Sequence, residues 1–155
     1  MGLSKTPLKP EFEKIKLRYS EKLSFDISPI WDTPNPKISA PYNVPWDLED
    51  KLRNQLIDSF SIKKLLNHID EPYFKIFSSP DFFHINLDDH KVCEILNRWE
   101  KGLPVDPPTL TWDSFSKKII IENGIHRLNT AIKLGAISIP FIVPKESYFE
   151  IFPLI

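Results

Sequence analysis

The order of apolar and polar positions divides this chain into segments of helical and of alternating period. In residues 10–23, PEFEKIKLRYSEKL, the positions Phe12, Ile15, Tyr19 and Leu23 share a helical face. Ile15, Leu17 and Tyr19 also alternate as in a strand, but the spacing favours a helix. In residues 47–70, Leu48, Leu52 and Leu56 recur every fourth position, and Ile62, Leu65, Leu66 and Ile69 follow in a shifted phase. That predicts a helix capped by Asp47, broken or kinked near Ser59-Phe60-Ser61 and ended at Glu71-Pro72. Within residues 73–87 the aromatic runs YFKIF and FFHINL, separated by Ser-Ser-Pro-Asp, each predict a short strand. The clearest helix covers residues 88–101, with Asp88 or Asp89 as cap and Val92, Ile95, Leu96 and Trp99 on one face. Gly102 and Pro104 stop it. A hairpin follows, from a strand at residues 109–112 to the run KIIIE. Then come a helix over residues 125–134, stopped by Gly135, and a strand ISIPFIV in which Pro140 calls for an edge or a bulge. The apolar tail, residues 148–155, is expected to pair with the sheet or to face a partner.

This order of elements predicts an α+β fold, a small mixed β-sheet flanked by helices, over residues 47–155. Residues 1–46 form an N-terminal extension. Proline changes the picture there: the chain has 15 prolines and 4 glycines, and Pro29, Pro34, Pro36, Pro41 and Pro45 crowd into residues 24–46. Such a stretch is neither a regular helix nor a central strand. It also holds Phe25, Ile27, Ile30, Trp31, Tyr42 and Trp46, too many apolar side chains for a disordered linker. The expectation is an extended arm packed on the domain, or one that docks on a protein partner. A formal net charge of −1 excludes a global basic field for nucleic acid and leaves only a local patch. Cys93 is the single cysteine, so no intrachain disulfide forms. No run reaches the ~18 apolar residues of a membrane span, and the first residues lack an apolar core of signal-peptide length. No membrane partner is expected, and the expected location is the cytoplasm.

The chemistry concentrates in Glu122-Asn123-Gly124-Ile125-His126-Arg127, where a strand turns into a helix. A helix start leaves backbone N–H groups without carbonyl partners, and the helix dipole adds partial positive charge. An anion, above all a phosphate, suits that end. Gly124 allows close backbone approach, Arg127 can grip phosphate through two donors, and His126 can donate a hydrogen bond or move a proton near neutral pH. Asn-Gly is equally a common hairpin turn, and a His-Arg pair equally a solvated helix face.

The run IIIENGIHRLNTAIKLGAISIPFIV resembles the signature of the ParB/sulfiredoxin-like superfamily: a strand, a Gly-x-His-Arg turn, a helix with small residues, a glycine and an Ile-Pro strand. The upstream ILNRWEKGLPVDPPTLTWD is similar to the family as well, so the resemblance spans about residues 85–145. It implies a nucleotide ligand, ATP, ADP or CTP with Mg²⁺, whose phosphates meet Asn123, Gly124, His126, Arg127 and Thr130. His126 and Glu122 are the implied catalytic residues of a phosphotransferase or NTPase. Two departures matter. Ile125 stands where sulfiredoxins carry the catalytic cysteine, so thiol chemistry is not expected. Asn123 stands where many members carry an acid, which leaves Glu122 as its substitute. The alternative is a non-catalytic protein- or DNA-associated module of immunity or adaptor type that keeps the fold.

Other candidates have structural readings beside functional ones. His84, Asp88, Asp89 and His90 could hold a metal, but the two aspartates are also helix caps and the spacing matches no known site, so no metal site is assigned. Cys93 beside Val92 reads as a small core residue. Trp99 and Trp112 read as core, with base stacking as the second possibility.

Overall fold

In the computed structural model, which describes residues 7–21, 25–33 and 53–155, four strands form one mixed sheet. They are β1 (Asn54–Ser61), β2 (Thr109–Asp113), β3 (Lys118–Asn123) and β4 (Ser138–Pro144), in the order β1-β4-β2-β3. β4 runs antiparallel to β1 and parallel to β2, and β2 pairs antiparallel with β3. The helices are α1 (Pro10–Glu21), α2 (Ile62–Leu66), α3 (Glu71–Ser78), α4 (Asp89–Glu100), α5 (Ile125–Lys133) and α6 (Lys145–Ile151), followed by a 3-10 turn at Phe152–Leu154. The fold is α+β. Among the described residues no helix is long and apolar enough to cross a membrane.

β4 is buried from Ile139 to Val143, as an interior strand with both faces covered should be. Pro140 therefore does not mark an edge. It lies opposite a bulge: Ile57 pairs with Phe141 and Phe60 with Ile139, so Asp58 and Ser59 together face a residue that has no N–H to give. The same bulge corrects the helix expected over residues 47–70. Ile57 and Phe60 are both buried although three positions apart, which imitates helical spacing within a strand. Asn, Asp and Ser are indifferent helix formers, and β4 needs a partner along this side, so pairing wins over periodicity. Asp47, Leu48 and Leu52 lie outside the described residues. Ser61 then starts α2, its Oγ accepting the Lys64 N–H at 3.4 Å.

The two aromatic strands expected over residues 73–87 are also corrected. Glu71-Pro72, read as a helix end, is a helix start: Pro72 sits in the first turn of α3, where a missing N–H costs nothing. Ile76 and Phe77 are buried, and Tyr73 stacks on Phe77 one turn later at 6.5 Å. FFHINL forms turns. α4 follows its expected pattern. The Asp88 carboxylate accepts the His90 N–H at 2.9 Å, and Gly102, at φ 72°, ends the helix with its N–H on the Trp99 carbonyl. The tail joins no strand: residues 148–151 complete α6 and Phe152–Leu154 form the 3-10 turn. Ser147 Oγ accepts the Trp112 N–H at 3.1 Å and so serves β2 beyond the reach of β4.

α1 begins at Pro10 and buries Phe12, Ile15 and Tyr19. It is fastened to α4 by Lys16–Asp89 at 2.8 Å and by the Tyr19 hydroxyl on Glu100 at 2.8 Å. Leu23 lies outside the described residues. In residues 25–33, Phe25 stacks on Tyr19 at 4.8 Å, and Trp31 meets Trp99 edge-on at 5.5 Å. The Ile30 carbonyl accepts both the Trp99 indole N–H and the Val105 N–H at 3.0 Å. Tyr42 and Trp46 lie outside the described residues.

Phe60 and Phe141 meet edge-on at 5.9 Å in the middle of the core. Phe60→Ala should lower unfolding free energy by about 3–5 kcal/mol in urea. Phe115→Ala, at a side chain 97% exposed, should change it by less than about 0.5 kcal/mol. Similar losses for the two would contradict this core.

Candidate functional site

β3 ends in an irregularity that re-aims its last side chains. Thr109 faces Asn123 and Leu110 faces Ile121, so Glu122 is an extra, exposed residue on the β3 side. Gly124 follows at φ 91° and caps α5 without a side chain. Two constraints favour glycine there. The left-handed backbone disfavours a side chain. A Cβ would also come within 2.5 Å of Arg127 Nη2 and 2.8 Å of Nε. Arg127, 4% exposed, is thus folded back over the turn that precedes its own helix. The first α5 hydrogen bond runs from the Leu128 N–H to the Gly124 carbonyl at 2.9 Å. The Ile125 and His126 N–H groups precede it and have no carbonyl within the helix.

Residues 121–127 form one side of a cavity of about 300 Å³. The opposite side is built by α4, through Lys91, Glu94 and Ile95, and by Tyr73 of α3. Glu122, Asn123, Gly124, His126 and Arg127, all singled out in the sequence, therefore share one cavity. Lys91 and Glu94 were not singled out. They lie on the polar side of an amphipathic helix, and only the packing of α4 against α5 turns that side towards the motif. The cavity holds two cations, Lys91 and Arg127, and two carboxylates, Glu94 and Glu122.

His126 has a different role from the one its sequence position suggests. Its Nε2 accepts the Asp88 backbone N–H at 3.0 Å, which requires the neutral ring with its proton on Nδ1. Burial pushes its pKa down from 6.5 to about 4, the neighbouring Lys91 and Arg127 charges push the same way, and Asp88 opposes them. At neutral pH the ring is an acceptor that anchors the start of α4 rather than a proton carrier. Thr130 lies apart from the others: its fully buried hydroxyl donates to the His126 carbonyl at 2.7 Å, and it does not line the cavity. Asn129, also fully buried, donates to the Phe82 carbonyl at 3.3 Å.

The remaining candidates are occupied elsewhere. Asp88 caps α4, Asp89 pairs with Lys16, His84 Nδ1 accepts the Asn86 N–H at 3.1 Å and His90 lies edge-on to Phe12 at 5.0 Å. Among the described residues no three His, Cys, Asp or Glu side chains are grouped as a metal site needs. Cys93 is fully buried against the Phe12 carbonyl, and burial raises its thiol pKa to about 11. Neither Trp99 nor Trp112 lines the cavity.

No family model, curated protein or solved structure matches this chain.

The pH dependence of stability follows from His126. The unfolded ring protonates near 6.5 and the folded ring only near 4, so the unfolded state takes up the proton first as pH falls. The contribution of His126 is complete above pH 6.5 and fades between pH 6.5 and 4. Urea unfolding across this window should show a loss in the wild type that is smaller in His126→Gln. Equal losses would contradict the half-buried neutral ring.

Proposed function

We propose that this chain binds the phosphate of a nucleotide in the cavity at the start of α5. One observation carries the reading. A left-handed turn that favours glycine presents the open N-terminus of a helix to a cavity into which Arg127 and Lys91 bring positive charge. The resemblance of residues 85–145 to the ParB/sulfiredoxin-like superfamily supports the same assignment. ATP, ADP and CTP are the ligands it implies.

The Mg²⁺ of that expectation meets a poor donor set. Glu94 and Glu122 stand on separate walls with Lys91 and Arg127 beside them, and cations repel a dication. The carboxylates left in the cavity as acid–base candidates are Glu122 and Glu94, on separate walls, because His126 is engaged by the Asp88 N–H and Asn123 cannot take a proton. This favours, as a second reading, a module that binds its ligand without turning it over, of the immunity or adaptor type.

Millimolar ATP, ADP or CTP should raise the melting temperature by several degrees, as expected where ligand exceeds Kd. Lys91→Glu, at an exposed helical position, should abolish most of that rise while leaving the ligand-free melting temperature within about 2 °C. A wild type that responds to no nucleotide and to no inorganic phosphate would end the proposal.

A further inference from the structure

We propose that Lys133 is a nucleophilic amine and the site of a covalent modification, acylation by a thioester with an apolar acyl chain. The site lies at the other end of α5 from the cavity described above and is independent of the phosphate reading.

The amine is held in an unusual way. Lys133 is the last residue of α5, and its Nζ donates to the Ile76 and Phe77 carbonyls, both at 2.9 Å. An ammonium group has three N–H donors, whereas a neutral amine has two and a lone pair. Two fixed carbonyls therefore satisfy the neutral amine, and its lone pair takes the remaining tetrahedral position. The same two bonds keep the nitrogen in one place, where a free lysine side chain samples many rotamers. Burial pushes its pKa down from 10.5 to about 8, with Asp81 opposing the shift. At pH 7.5 about a quarter of such amines are unprotonated, against about one in a thousand for an ordinary lysine. Desolvated lysines of this kind act as nucleophiles.

The surroundings select the electrophile. Lys133 lines a cavity of about 740 Å³ with Phe77, Phe82, Phe83 and Ile132 among its walls. That volume suits a small organic group, and those walls suit an apolar chain. The titratable groups facing it are Asp81 from the turn after α3, and Lys16 and Tyr19 from α1. Lys16 is engaged by Asp89 at 2.8 Å and the Tyr19 hydroxyl by Glu100 at 2.8 Å, so neither competes for the acyl group. In the reaction the Lys133 lone pair forms a bond to the thioester carbonyl carbon, and the C–S bond breaks. Sulfur leaves with its electron pair, and the proton lost from nitrogen reaches it through solvent. The products are an amide and a thiol. An amide nitrogen keeps one N–H for two carbonyls and carries no charge, so acylation also loosens the end of α3.

The full chain, treated with the acetyl or the octanoyl thioester of N-acetylcysteamine and mapped by peptide mass spectrometry, tests this. At pH 7.5 Lys133 should gain the octanoyl group about tenfold faster than the exposed Lys117 does. It should also take octanoyl about tenfold faster than acetyl, with no such preference at Lys117. The Lys133 rate should level off above pH 8, while that of Lys117 rises to pH 10. Phe83→Ala, at a half-buried wall position, should remove the chain preference and leave the acetyl rate at Lys133 unchanged. Lys133 labelled no faster than Lys117, or a Lys133 rate still rising at pH 10, overturns the nucleophile. Equal acetyl and octanoyl rates at Lys133 in the wild type overturn the apolar acyl donor.

Discussion

A line of polar side chains along α5 holds the backbone of residues 76–88 in place, and the cavity depends on it. Lys133 Nζ donates to the Ile76 and Phe77 carbonyls at 2.9 Å, closing the end of α3 as a helix cap does. Asn129 donates to the Phe82 carbonyl, and His126 accepts the Asp88 N–H. These bonds follow one another at helical spacing and serve a segment made of turns, whose backbone groups would otherwise lack partners. Burial lowers the Lys133 pKa to about 8, with Asp81 acting against that shift. The end of α3, the turns and the start of α4 are all bonded to one face of α5, and Asp89 at the start of α4 is also held by Lys16 of α1.

That division of labour separates architecture from chemistry inside a single motif. His126 and Thr130, expected from the sequence to meet a phosphate, and Asn129 beside them are each bonded to backbone. What remains for a ligand is the turn itself, with Gly124 under the Arg127 guanidinium, the bulged Glu122, and the Lys91 and Glu94 side chains that His126 indirectly positions by fixing the start of α4. A cavity with charges of both signs and a neutral imidazole is the chemical result.

Local signals that agree with one another were legible in the sequence. α4 combines a capping aspartate, an apolar stripe and a terminal glycine, and all three act as the pattern implies. The junction at Gly124 was legible because its left-handed turn needs a glycine between strand and helix. β1 was not, because its bulge reproduces a helical spacing of buried residues and its strand character comes from β4, far away in sequence. α3 was not, because aromatic density suggests strands while Pro72 in a first turn can be read either as an end or as a start. Lys91 and Glu94 carried no local mark, since a cavity wall contributed by a second helix exists only after packing.

The most direct test of the central claim is a ¹⁵N–¹H correlation spectrum recorded during titration with inorganic phosphate. Phosphate bound at the start of α5 would give saturable shifts of the Ile125, His126 and Lys91 amides, with residues 115–118 at the hairpin tip unmoved. Shifts confined to surface lysines such as Lys117 and Lys118, or none at the start of α5, would contradict it.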